Sequence, residues 1–404
     1  MGRADNPFDL SDTSYYTEDR WHEPFATLRR DMPVSYRADS PYGPYWSVVT
    51  HDLIQQVEGN PDIFSSASHL GGITILDALG DREFPNFIAM DRPRHTEQRK
   101  AVQSAFNPSE MARREGEIRQ RTKDLLDSLP IGTSFDWVEE VSIKLTIGML
   151  IILFDMEWEE RVDLKRWSDF ASDVKPDHSE AWRAEFHVQM GQMLARFDAI
   201  LEAKRALPPA DDLMSRMVHS EAMANLSAFE RIANIALLIV GGNDTTRNSM
   251  SGFVHAANLF PDSLDRLREE PGLIANATQE IIRWQSPVTH MRRTCTTDTE
   301  LNGQKIAAGD KLILWYISGN RDERVFPDPD IFDVARPNAR RHIGFGFGVH
   351  RCVGARLAEL QLAILFEEIV SRNIRIVPQG APERLASPFL HGFIHMPVQI
   401  VPAG

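Results

Sequence analysis

The stretch from Phe345 to Gly354, FGFGVHRCVG, constrains this chain more than any other. Gly344, Gly346 and Gly348 give a loop that can bend sharply and come close to a flat body. An amphipathic helix follows in VGARLAELQLAILFEEIV, where Leu357, Leu360 and Ile364 recur at helical spacing. His350 and Arg351 put positive charge beside Cys352, at a helix N-terminus where unpaired N–H groups and the dipole favour an anionic sulfur. By themselves these residues leave three readings open. The sulfur could be a thiolate held against another body, an inert packed cysteine, or part of a zinc site whose second Cys/His pair the sequence lacks.

A second departure lies upstream. Ser227 and Glu230 form a capping-box pattern, opening an apolar segment that runs to Phe260 and stops at Pro261. At helical rise it would span about 50 Å and cross the molecule. Ile232, Ile235, Ala236 and Ile239 share one face. The centre, GGNDTT from Gly241 to Thr246, breaks helix rules. Each interior glycine costs about 1 kcal/mol relative to alanine, and an acid in an apolar helix is expensive unless paired. Rules that fail together mark a functional place; alternatively, Gly241 and Gly242 end one helix and Asp244 caps the next.

Phe345, Gly348, His350, Cys352 and Gly354 fit F-x-x-G-x-[HR]-x-C-x-G, and here the chain resembles the cytochrome P-450 family in its soluble bacterial class. The resemblance implies a mainly α fold with small β regions: a triangular helical prism, one domain over 1–404, with the long helix lying over a haem. It implies Cys352 as the thiolate ligand of haem b iron, Phe345 packed near the sulfur, and Gly348 and Gly354 giving clearance. GGNDTT matches the family's [AG]-G-x-[DE]-T-[TS]. Thr245 is then the alcohol that hydrogen-bonds dioxygen or its water, Asp244 the acid linking that water to solvent, and Gly241 and Gly242 make room. MDRPRHTEQR resembles the helix whose His and Arg contact haem propionates. His95 and Arg99 are expected there, with Arg293 and His342 as further contacts; each alone reads as a surface cation, and it is the four together at matching places that read as ligands. Glu280 and Arg283 share a helix face and, with Arg336, are expected to form a buried structural ion cluster.

FIAMDRPRHTEQRK, LLIVGGNDTTRNSM, MRRT and HIGFGFGVHRCVGARLAELQL resemble the bacterial alkane terminal-hydroxylase group. That implies omega hydroxylation of medium-chain n-alkanes, with fatty acids, alicyclic hydrocarbons and terpenes as alternatives. Candidate pocket residues are Leu70, Ile73, Ile75 and Leu76 in an irregular stretch over 65–86, Leu238 with Gly241 and Gly242, Val288 and Met291, and Phe389 and Leu390. No flavin or nicotinamide fingerprint and no cluster-binding cysteine set is present, so electrons from NAD(P)H are expected through a ferredoxin reductase and a 2Fe-2S ferredoxin. Arg340, Arg341, Arg351 and Arg356, set against a net charge of −14, form the expected docking patch. That acidity disfavours nucleic acid and anionic membrane, and the run from Ile147 to Phe154 is too short to span a bilayer. A cytoplasmic enzyme without a membrane anchor is expected; a haem-thiolate gas or redox sensor is the alternative of a different class. Helix is expected over 52–58, and strands within 41–50, over 312–317 and near the C-terminus.

Overall fold

The computed structural model describes residues 3–77 and 83–402. Seven helices bear on the site: α1 His51–Glu58, α2 Arg94–Gln103, α3 Lys144–Phe154, α4 Arg161–Ser172, α5 Ala228–Leu259, α6 Ile274–Gln285 and α7 Ala355–Ser371. The architecture is mainly α with small sheets, as the sequence implied.

The long helix α5 starts on the expected capping box. Ser227 Oγ accepts from the Glu230 N–H at 3.2 Å, and the Ser227 N–H donates to Glu230 Oε2 at 3.1 Å. It runs unbroken for 32 residues to Phe260 and Pro261, so the two-helix alternative is excluded. Packing keeps it whole despite its glycines: a Cβ at Gly242 would lie 2.7 Å from Leu150 Cδ2, so a larger residue would push that side chain aside where α5 meets α3. Ile232, Ile235, Ala236 and Ile239 are all buried, and further along Phe253 stacks on Phe366 of α7 at 3.7 Å.

Five strands, β1 Val34–Arg37, β2 Tyr45–Val48, β3 Phe64–Ser65, β4 Met291–Cys295 and β5 Lys311–Leu314, make a sheet ordered β1-β2-β5-β4-β3. The β2–β5 pair is parallel, with Trp46 beside Leu312; the other pairs are antiparallel. Segments from both halves of the chain therefore share this sheet. The strand expected to reach Ile317 ends at Leu314, because the Ser318 and Gly319 N–H groups both turn back to the Trp315 carbonyl at 3.0 Å. Ser134–Asp136, Pro397–Pro402 and Ile374–Pro378 form a second, antiparallel sheet.

Candidate active site

The turn before α7 folds back on itself: the Cys352 N–H donates to the Phe345 carbonyl at 2.8 Å, and Gly354 caps the helix. Cys352 is free and has accessible surface, yet protein surrounds it deeply, so its open face is the wall of a cavity rather than bulk solvent. Burial pushes its thiol up, against the Gly354 N–H and the charges of Arg99 and Arg351. A coordinated metal cation reverses that balance, since a ligating thiol loses its proton.

The cavity holds about 1520 Å³ of atom-free space, part of it open to solvent. Cys352, Phe345, Gly354 and Leu357 line one part; Leu238, Gly241, Gly242 and Thr245 of α5 line another. Ile73, Val288, Met291, Phe389 and Leu390 complete the apolar wall.

Positive charge gathers at one edge. Arg99, Arg293 and His350 line the cavity, and His95 stands behind His350 with ring centroids 4.2 Å apart. Both His95 nitrogens and His350 Nδ1 are buried without a hydrogen-bond partner. Burial, and behind it the neighbouring arginines, pushes His95 down to about 4 and His350 down to about 2. Orphaned imidazoles beside crowded guanidinium groups are a receptor for carboxylates.

Several expected residues point elsewhere. His342 is not on the wall: its Nε2 faces Gln279 Oε1 at 3.2 Å and its Nδ1 accepts from the Gly344 N–H at 3.1 Å, so it braces the loop from behind. His350 occupies the cavity edge instead; its place in the [HR] position of the motif was the available signal. Gly348 gives clearance not to the cavity but to α1, since its φ is +66° and a Cβ there would lie 2.6 Å from the Glu58 carbonyl oxygen. Of the four apolar residues in the 70–76 segment only Ile73 reaches the cavity. Ile75 is fully buried in a separate cluster with Tyr45 and Trp315, and Leu76 packs on the same cluster. Leu70 presents its carbonyl to Arg292 Nη2 at 3.0 Å. Arg292 of β4 and the adjoining His290 fix this segment, because the Arg292 N–H donates to the Ile73 carbonyl at 2.8 Å and the Ile75 N–H to His290 Nε2 at 3.0 Å.

On α5 the acid and the alcohol face different ways. Thr245 looks into the cavity, its hydroxyl donating to the Gly241 carbonyl at 2.8 Å. Asp244 is fully buried on the α4 side, 3.0 Å from Arg247 Nη2, with Oδ1 also accepting from Asn243 Nδ2 at 3.0 Å and Oδ2 from Ser168 at 3.3 Å. Burial pushes its carboxyl up, against the Arg247 charge. The Arg247 guanidinium reaches on to Asp169, whose side chain is 44% exposed, so a polar track leads from Asp244 toward solvent.

Away from the cavity, Glu280 receives Arg283 through both oxygens at 2.7 Å and Arg336 at 2.9 Å, all three buried. The arginines go on to the carbonyls of Asn320, Pro329, Pro327 and Ile331, stitching α6 to the segment that leads into the cysteine loop. Glu280, Arg283 and Arg336 thus form one buried ion cluster.

The family model described as Cytochrome P450 matches residues 120–395. The chain belongs to the cytochrome P450 family. A linalool 8-monooxygenase from Pseudomonas putida is 37% identical to this P450, the match covering 98% of this chain and 99% of that protein. A methyl-branched lipid omega-hydroxylase from Mycobacterium tuberculosis strain H37Rv is 35% identical, with 93% and 90% covered. Among solved structures, a cytochrome P450-153 from Novosphingobium aromaticivorans superposes with a TM-score of 0.93 at 50% identity, covering 97% of this chain and 99% of that one. CYP153D17 from Sphingomonas sp. PAMC 26605 matches with a TM-score of 0.93 at 51% identity, with 97% and 98% covered. This P450 is therefore a monooxygenase whose cofactor is haem b. The cavity fits that group in its single inward cysteine and in the unpartnered histidines beside Arg99 and Arg293. Among the described residues no helix is long and apolar enough to cross a membrane.

Proposed function

We propose that this P450 hydroxylates the terminal carbon of medium-chain n-alkanes, with electrons from NAD(P)H delivered through a ferredoxin reductase and a 2Fe-2S ferredoxin. The observation that carries the reading is the wall around Thr245. Leu238, Val288, Met291, Phe389 and Leu390 are apolar, while the cavity's cations gather around His350. An unfunctionalised chain finds burial there and asks for no clamp. Linalool, a terpene alcohol built mostly of hydrocarbon, and methyl-branched lipid are the substrates for which two relatives are named.

Cys352 would hold the iron, with Arg99, Arg293 and His350 toward the propionates. Haem b supplies the activation of dioxygen: with two electrons and two protons, one oxygen atom enters a C–H bond and the other leaves as water. The protein moves the protons. Thr245 has committed its hydroxyl hydrogen to Gly241, so its lone pairs face the cavity and accept from water. Asp244, buried and with its carboxyl pushed up, holds a proton closer to neutrality than a free aspartate and is resupplied past Arg247 and Asp169. In Thr245→Ala, product formed per NAD(P)H consumed is expected to fall by at least about tenfold; unchanged coupling removes the role.

Substrate choice is tested by titrating n-alkanes, fatty acids, alicyclic hydrocarbons and linalool against the haem spin state, then locating the product hydroxyl. Medium-chain alkanes should give the largest low-to-high-spin shift and yield 1-alkanols. A larger shift and faster turnover with any other class replaces this reading by that class.

Arg340, Arg341, Arg351 and Arg356 are all exposed near the cysteine loop and suit an acidic electron donor. Reversing Arg340 and Arg341 to glutamate should slow reduction by ferredoxin about tenfold at low salt and flatten its salt dependence. Reduction unchanged in both respects removes the docking patch.

A further inference from the structure

We infer that Glu58, the last residue of α1, is a positioning residue that joins the two ends of the haem anchorage, Arg293 and the Cys352 loop, into one hydrogen-bonded unit. Its side chain is 1% exposed. Oε1 accepts from Arg293 Nη2 at 3.0 Å and from the Tyr316 hydroxyl. Oε2 accepts from the Phe347 N–H at 2.8 Å, inside the cysteine loop. The backbone takes part as well, since the Glu58 carbonyl is the atom against which Gly348 packs.

Neither half of this arrangement requires the other. A carboxylate needed only to neutralise Arg293 has no reason to reach the Phe347 amide, and a loop clasp has no need of a guanidinium. Arg293 Nη1 donates to the Arg292 carbonyl at 2.7 Å, so this carbonyl and Glu58 together fix the plane of a fork that also lines the cavity. Tyr316, the third donor, lines the cavity too. A buried carboxylate is costly unless fully partnered, and here the partners are those that set where the Arg293 cation stands relative to the sulfur.

The inference rests on the reading that Arg293 and Cys352 hold the haem, and the test separates the two. Holoenzymes carrying Glu58→Gln, Glu58→Asp, Arg293→Gln and the Glu58→Gln/Arg293→Gln pair are compared with the parent. The measurements are the rate of haem transfer to apomyoglobin and the fraction of the reduced carbon monoxide complex showing the thiolate band. Glutamine turns an amide N–H₂ toward an N–H or O–H donor that the carboxylate had satisfied. Glu58→Gln is expected to speed haem transfer about tenfold, the scale of one charge-assisted hydrogen bond, and to reduce the thiolate fraction. Glu58→Asp keeps the charge but cannot span both partners, and carries the test if the glutamine variant fails to fold. The double variant should fall short of the product of the single effects. If Arg293→Gln speeds haem loss while both Glu58 variants keep the parent rate and band, or if only their thermal midpoint moves, the inference is overturned. If Arg293→Gln itself leaves haem transfer unchanged, the assignment beneath it fails.

Discussion

A Cys352→Ser enzyme is expected to lose turnover to background and to lose the thiolate band of its reduced carbon monoxide complex. The substitution is nearly isosteric, and the backbone contact that shapes the loop, the Cys352 N–H to the Phe345 carbonyl, survives it. What disappears is the donor atom. An alcohol in this setting, where burial already pushes even a thiol up, gives no comparable anion. Without a thiolate the electron push that favours O–O cleavage is gone. Carbon monoxide difference spectroscopy and product assay check the two halves separately; a retained thiolate band would place the iron ligand at another residue.

The second large effect concerns stability. Glu280→Gln leaves Arg283 and Arg336, 0% and 5% exposed, without their shared counter-charge. Stripping one partner from such a buried cluster costs about 3–5 kcal/mol, because the stranded charges cannot be rehydrated. Urea unfolding of the holoenzyme should show this as a lowered midpoint at unchanged slope. Asp265 provides the contrast. It pairs with Arg375 at side-chain exposures of 44% and 35%, and Asp265→Asn should stay within about 1 kcal/mol of the parent. Equal losses at the two sites would mean that the Glu280 cluster is no more than another surface pair.

What could be read from sequence follows from where the chemistry keeps its partners. The cysteine loop was legible because Phe345, Cys352 and Gly354 line one cavity from adjacent positions, so their spacing carries the pattern. The α5 motif was legible for the opposite reason: Gly241, Gly242 and Asp244 violate helix rules strongly enough to need an external explanation. Which way Asp244 faces was not legible, since Ser168 and Asp169 lie on another helix. His342 and His350 differ in which of them lines the cavity and in which ring nitrogens find partners, both a matter of tertiary neighbours. Leu70, Ile75 and Leu76 were misplaced because their segment has no period; long-range bonds from Arg292 and His290 decide its facing. Glu58 carried no signal, for a glutamate closing a short helix usually meets water.

The bonds that tie down the segment around Ile73, from the Arg292 N–H to its carbonyl and from the Ile75 N–H to His290, have a practical corollary. Its main chain belongs mechanically to a rigid sheet, although by local shape it sits in a loop. Trimming or enlarging that one side chain therefore recontours the enclosed space without loosening its frame. Evolution, or an engineer, can reach guests of different girth there at little cost to the scaffold.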